Sequence, residues 1–152
     1  MTSASQPSPT RPSETVLAFD YGVRRVGVAV GEPAIGIAHP LETLRTVSER
    51  AQLDAIAKLI REWSPSLLVV GLPCHMNGDE HDLSDRCRRF AVKLQRRFGL
   101  DVRLVDERLT SRAAAQSLTA AGVHGREQSE MLDQVAAMHI LQAYFSAGHE
   151  SA

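Results

Sequence analysis

The run Leu67-Leu68-Val69-Val70-Gly71 constrains the fold of this chain more than any other segment. It is short and continuously apolar, as a central parallel strand covered on both faces must be. The flanking segments supply the cover. Before it, Leu53, Ile56, Ala57 and Ile60 recur at helical spacing from an N-cap at Ser48 to Trp63, and Ser64-Pro65 stops the helix. After it comes a polar loop, Leu72 to His81, with a turn at Asn77-Gly78. Leu83, Cys87, Phe90, Ala91, Leu94 and Phe98 then mark the buried stripe of a second helix, which Gly99 ends as a C′ glycine.

Upstream, Thr15 to Tyr21 reads as a strand, and a tight turn at Gly22-Val23 leads into a second strand, Arg25 to Gly31. A third strand spans Ile35 to Leu44, and Pro40 within it marks an edge. Downstream lie a strand from Asp101 to Asp106 and two helices, about Ser111 to Ala121 and Ser129 to Phe145. The expected fold class is therefore α/β. It comprises a five-stranded mixed sheet, a three-strand meander plus two parallel strands, with helices packed on it. Crossover geometry makes strands one, four and five end on one edge of the sheet, where ligands of open α/β sheets gather.

Residues 1–14 hold three prolines and four serines and are expected to be a flexible tail. Residues 15–146 form the single domain, and 147–152 are expected to fray. A chain of 152 residues buries roughly two-thirds of its unfolded surface. No apolar run reaches the ~20 residues of a membrane span, and the N-terminus lacks the apolar core of a secretory signal. A cytoplasmic protein is the expectation. Cys74 and Cys87 have no zinc spacing. The net charge of −1 excludes a generally basic nucleic-acid-binding surface. Any polyanion site must come from a local patch or from bound metal. Aromatic residues make up 5% of the chain, too few for a large base-stacking platform.

Asp20 closes strand one and Glu107 follows strand five, so the topology brings both to one edge. Asp133 lies near the start of the last helix, whose small Ala136 and Ala137 allow a close approach to the sheet. Three carboxylates at one place repel, and a divalent cation removes the conflict. Mg²⁺ takes oxygen ligands and keeps several waters. Two such ions about 4 Å apart serve phosphodiester cleavage. Each acid also fits a plain structural role: Asp20 before a turn glycine, Glu107 as a solvated strand end, Asp133 in the field of a helix N-terminus.

The segment Phe19-Asp20-Tyr21-Gly22-Val23-Arg24-Arg25-Val26-Gly27-Val28-Ala29 resembles the opening motif of the YqgF-like family, described as Holliday junction resolvases and as pre-16S rRNA nucleases. Val70-Gly71-Leu72-Pro73 with Met76-Asn77-Gly78 resembles its second block, and Asp106-Glu107-Arg108-Leu109-Thr110-Ser111 its third. Asp133 with Ala136-Ala137 and Ile140-Leu141-Gln142 is similar to its last. The resemblance spans about residues 15–146. It implies an RNase H-like fold, with Asp20, Glu107 and Asp133 as catalytic acids holding Mg²⁺ or Mn²⁺. It also implies a role in maturing the 5′ end of small-subunit ribosomal RNA, with junction resolution as the alternative. Two departures stand out. Ser111 replaces a frequent Thr, and His124 to Glu130 is less basic than the lysine-rich stretch usual there.

The second helix carries Arg86, Arg88, Arg89, Lys93, Arg96 and Arg97 against Asp82 and Asp85, all off its apolar stripe. Arg86, Arg89 and Lys93 are candidate contacts to nucleic-acid phosphates, as are Arg25 beside Asp20 and Arg108 beside Glu107. His75 and His81 sit on the loop expected to overhang the cleft. The expected partner is nucleic acid, either precursor rRNA in the small-subunit precursor or branched DNA. Monomer and homodimer both remain open. The competing readings are a non-catalytic nucleic-acid-binding module and a phosphotransferase with an actin-like phosphate loop. The latter fold needs two such domains.

Overall fold

The computed structural model describes residues 14–73, 80–106 and 125–147, the side chains of 80–82 and 125–129 excepted. The expected tail before Glu14, the loop at Cys74, His75 and Asn77-Gly78, the helix expected over Ser111–Ala121, and residues 148–152 lie outside them, as do Glu107 and Arg108.

The elements are β1 (Val16–Asp20), β2 (Arg25–Glu32), β3 (Ile37–Arg45), α1 (Glu49–Trp63), β4 (Leu67–Leu72), α2 (Glu80–Phe98), β5 (Asp101–Asp106) and α3 (Gly125–Ser146). The sheet order is β3-β2-β1-β4-β5. β1 pairs antiparallel with β2 and parallel with β4, and β4 pairs parallel with β5. The LLVVG run is thus the second-to-last strand, and β1, β4 and β5 end on one edge, as expected from the crossovers.

The edge position of β3 agrees with its proline. Val28 pairs with Glu42 and Ala29 with Pro40, so a bulge at this point absorbs the missing N–H of Pro40. Ser48 caps α1, its hydroxyl accepting from the Ala51 N–H at 3.1 Å. Ser64 ends the helix in the left-handed region (φ 46°), just before Pro65. Gly99 does the same for α2 at φ 67°.

Side-chain alternation divides the core. Leu17, Phe19, Val26, Val28 and Val30 face α1 and α2, where Ile56, Leu59, Phe90 and Leu94 meet them. Val16, Ala18, Ala29, Ala38 and Val69 face α3 and pack on Ala137, Ile140 and Leu141. Two helical expectations need correction. Leu83 is 40% exposed rather than part of the buried stripe of α2. Helix α3 begins at Gly125, earlier than Ser129, because its first turn is polar and carries no apolar periodicity. Cys87 is buried within the α2 packing.

Candidate active site

Asp20 ends β1 on the same face as Val16 and Ala18, which is the α3 face. Its partner across the hairpin is Gly27. A Cβ on Gly27 would stand 1.9 Å from the Asp133 carbonyl oxygen. The absence of a side chain at Gly27 therefore lets the α3 backbone rest on β2 directly beside Asp20. Gly31 repeats the arrangement further along, where a Cβ would meet the Ile37 carbonyl at 2.7 Å and the Phe145 ring at 3.0 Å. Ala136 and Ala137, buried as expected, complete the close approach.

Polar ties fix α3 along its axis. The Thr43 hydroxyl donates to the Glu130 carbonyl at 2.7 Å, and Gln134 Nε2 donates to the Thr43 hydroxyl at 3.2 Å. Arg45 Nε donates to Glu130 Oε2 at 2.6 Å. At the other end, Gln142 accepts from the Ala38 N–H and donates to the Gly36 carbonyl. Gln142 and Glu130 entered the sequence reading only as members of motif segments, and none of these side chains was expected to tie α3 to the sheet. Their partners lie on a different element far along the chain, and a polar side chain carries no local sign of that. Gly27 did carry a sign, because glycine inside a strand marks close backbone approach.

Asp20 and Asp133 line one cleft of about 430 Å³, together with Arg24, Arg25 and Arg45. Arg25 Nε lies 2.8 Å from Asp133 Oδ2. Oδ2 is buried, and the Arg25 guanidinium is the cation paired with it. Burial pushes the Asp133 carboxyl above its ordinary value, with Arg25 and Arg45 pulling it back and Glu130 adding to the rise. A half-buried carboxylate lining a cleft beside a second one is an oxygen donor of the kind hard cations take. Among the described residues no histidine or cysteine lines the cleft, and its donors Asp20 and Asp133 are oxygen ligands of the kind that hard divalent cations take. Among the described residues, no three His, Cys, Asp or Glu side chains group closely enough to hold an ion.

The third predicted acid, Glu107, lies outside the described residues. Its strand does reach the site. Phe19 pairs with Val70, so Asp20 stands level with Gly71, which pairs with Val105. Val105 packs in the α3-face cluster. Arg108 and His75 also lie outside the described residues. His81 falls within α2.

The predicted cations separate into two places. Arg25 is in the acid cleft. Arg86, Arg89 and Lys93 line a second groove of about 810 Å³ on the α1–α2 face. Tyr21, Val23 and Arg24, in and beside the β1–β2 turn, line both.

A family model described as "RuvX: Holliday junction resolvase" matches residues 14–147. A protein of Methylobacillus flagellatus named "Putative pre-16S rRNA nuclease" is 56% identical over 130 residues, covering 86% of this chain and 89% of its own. One of Nitrosospira multiformis with the same name is 52% identical, covering 93% and 91%. Among solved structures, Thermus thermophilus RuvC in complex with a Holliday junction superposes with a TM-score of 0.56 at 14% identity, covering 89% of this chain and 95% of its own. Fowlpox virus resolvase with junction DNA gives 0.52 at 6% identity, covering 88% and 97%. These two likenesses bear on the fold alone, which is RNase H-like.

Proposed function

The chain belongs to the RuvX family, and from that premise we propose that it is a metal-dependent nuclease that matures the 5′ end of precursor 16S rRNA in the cytoplasm. The observation that carries this reading is the convergence of Asp20 and Asp133 on one cleft, from the first strand and the last described helix. The curated relatives' name supplies the substrate. No described helix is long and apolar enough to cross a membrane.

Asp20 and Asp133, joined by Glu107, would hold Mg²⁺ or Mn²⁺. Ions there would draw in the scissile phosphate and stabilise charge on its attacking and leaving oxygens. Arg25 and Arg45 place guanidinium groups at the same cleft, where they bind the phosphate's remaining oxygens. Arg25 serves both roles, since it pairs with Asp133 and lines the cleft the phosphate would enter. Gly27 and the Thr43–Glu130 tie hold Asp133 at its distance from Asp20.

The family description favours a second reading, cleavage of four-way DNA junctions. Both readings are tested together by incubating a short RNA with a 16S-precursor leader, and a synthetic junction, with Mg²⁺ or Mn²⁺. The parent should cut the RNA, and Asp20→Asn, Glu107→Gln and EDTA should each abolish cutting. Preference for the junction would establish the second reading. Equal activity in parent and variants would overturn both.

A further inference from the structure

The groove on the α1–α2 face has no part in holding the acids, yet it shares Tyr21, Val23 and Arg24 with their cleft. Four cations line it: Arg24, Arg86, Arg89 and Lys93. The opposing carboxylate in its lining is Glu49, which Lys93 already pairs. Arg24, Arg86 and Arg89 have no ion-pair partner among the described residues, and all three are exposed. Elsewhere on α2 the basic surface is partly neutralised, with Arg97 pairing with Asp54 at 2.9 Å.

The groove is not only basic. The Tyr21 ring is half-buried and packs at a 32° tilt against Phe90, with centroids 4.6 Å apart. Val23 and Val47 are 56% and 99% exposed at its margin. A cationic wall beside an aromatic and apolar lining matches a chain that carries phosphates on one side and flat rings on the other. In a duplex those rings are stacked on each other and turned inward, so paired nucleic acid can only lie across such a groove. An unpaired strand can place phosphates on the arginines and a base against Tyr21. The volume of about 810 Å³ is within the ~300–1,000 Å³ of sites that enclose a small molecule.

We propose that this groove binds the single-stranded flank of the nucleic-acid substrate, which passes from the acid cleft over the β1–β2 turn at Tyr21 and Arg24. The inference deepens the nuclease reading and rests on it. It makes an unpaired flank, rather than a fully paired junction, the feature the protein recognises beside its cut site.

Fluorescence anisotropy in EDTA measures binding without cleavage. The probes are a blunt RNA duplex, the same duplex with a 5′ or a 3′ single-stranded tail, and a fully paired four-way DNA junction. One tail should tighten binding to the parent about tenfold or more over the blunt duplex. The charge-neutral double variant Arg86→Gln/Arg89→Gln should lose most of that gain, weakening the tailed probe several-fold more than the blunt duplex. Tyr21→Leu should lose part of the gain while retaining its steep salt dependence. Circular dichroism checks that α2 is intact in each variant. The inference is overturned if neither tail tightens binding, or if the double variant weakens blunt and tailed probes equally. A parent that cuts RNA but ignores tails would refute the groove alone. A parent that cuts the RNA with Mg²⁺ but binds none of the probes in EDTA would likewise refute the groove and leave the nuclease reading standing, whereas a parent that neither binds nor cuts would refute both.

Discussion

On the α1–α2 side of the sheet, Leu17, Phe19, Val26, Val28 and Val30 raise a thick layer of side chains, whereas across the same strands Ala18, Gly27, Ala29 and Gly31 leave very little. The thick side keeps its helices at a distance set by interdigitated aliphatic and aromatic groups. The thin side lets α3 touch strand backbone, with no room for a methyl group at Gly27. Large cores tolerate small shifts by repacking, while a backbone contact fixes one position. The acid that must meet Asp20 is carried on the side with the least freedom to move, and the broad groove opens on the other.

The sharpest test of that contrast is loss of the acids themselves. Asp20→Asn and Asp133→Asn should each lower single-turnover cleavage by at least ~100-fold with an unchanged circular dichroism spectrum. Gly27→Ala should come next. Its methyl displaces α3, costing roughly 1–3 kcal/mol in a denaturant melt and lowering cleavage by about 10-fold or more. Wild-type cleavage from this variant would erase the distinction between the faces. Leu94→Ala probes the thick side and should do the reverse, destabilising by ~2–5 kcal/mol while turnover per folded molecule stays as it was.

The smallest expected effect is on pH dependence. Burial raises the Asp133 carboxyl in the folded protein, so the folded state binds that proton more tightly than the unfolded chain does. This contribution to stability is fully present below the ordinary aspartate value and is lost as pH rises through the raised one. Metal-free parent should therefore lose stability over that window relative to Asp133→Asn. Parallel melting curves across the window would remove the desolvation argument.

Much of this architecture was legible because the signals were local. The alternation in β1 and β2, the apolar β4, the Ser48 cap and the Gly99 stop are each set by residues within a few positions of one another. The convergence of Asp20 with Asp133 needed topology and family resemblance together, since spacing along the chain says nothing about it. The cations of α2 were visible from their place off the apolar stripe. Their sorting into Lys93 and Arg97, paired, and Arg86 and Arg89, without an ion-pair partner among the described residues, was not, because Glu49 and Asp54 sit on another helix. Leu83 misled because an apolar residue at the right spacing can still fall beyond the end of the surface it would cover.

The seating of α3 against Gly27 also has a consequence in time. Polypeptides emerge from the ribosome first strand first, so a growing chain displays Asp20 well before Asp133 exists. Under the nuclease reading, a half-made molecule emerging next to ribosomal RNA has no competent blade. Its cutting power would be switched on only when the late-arriving helix locks home.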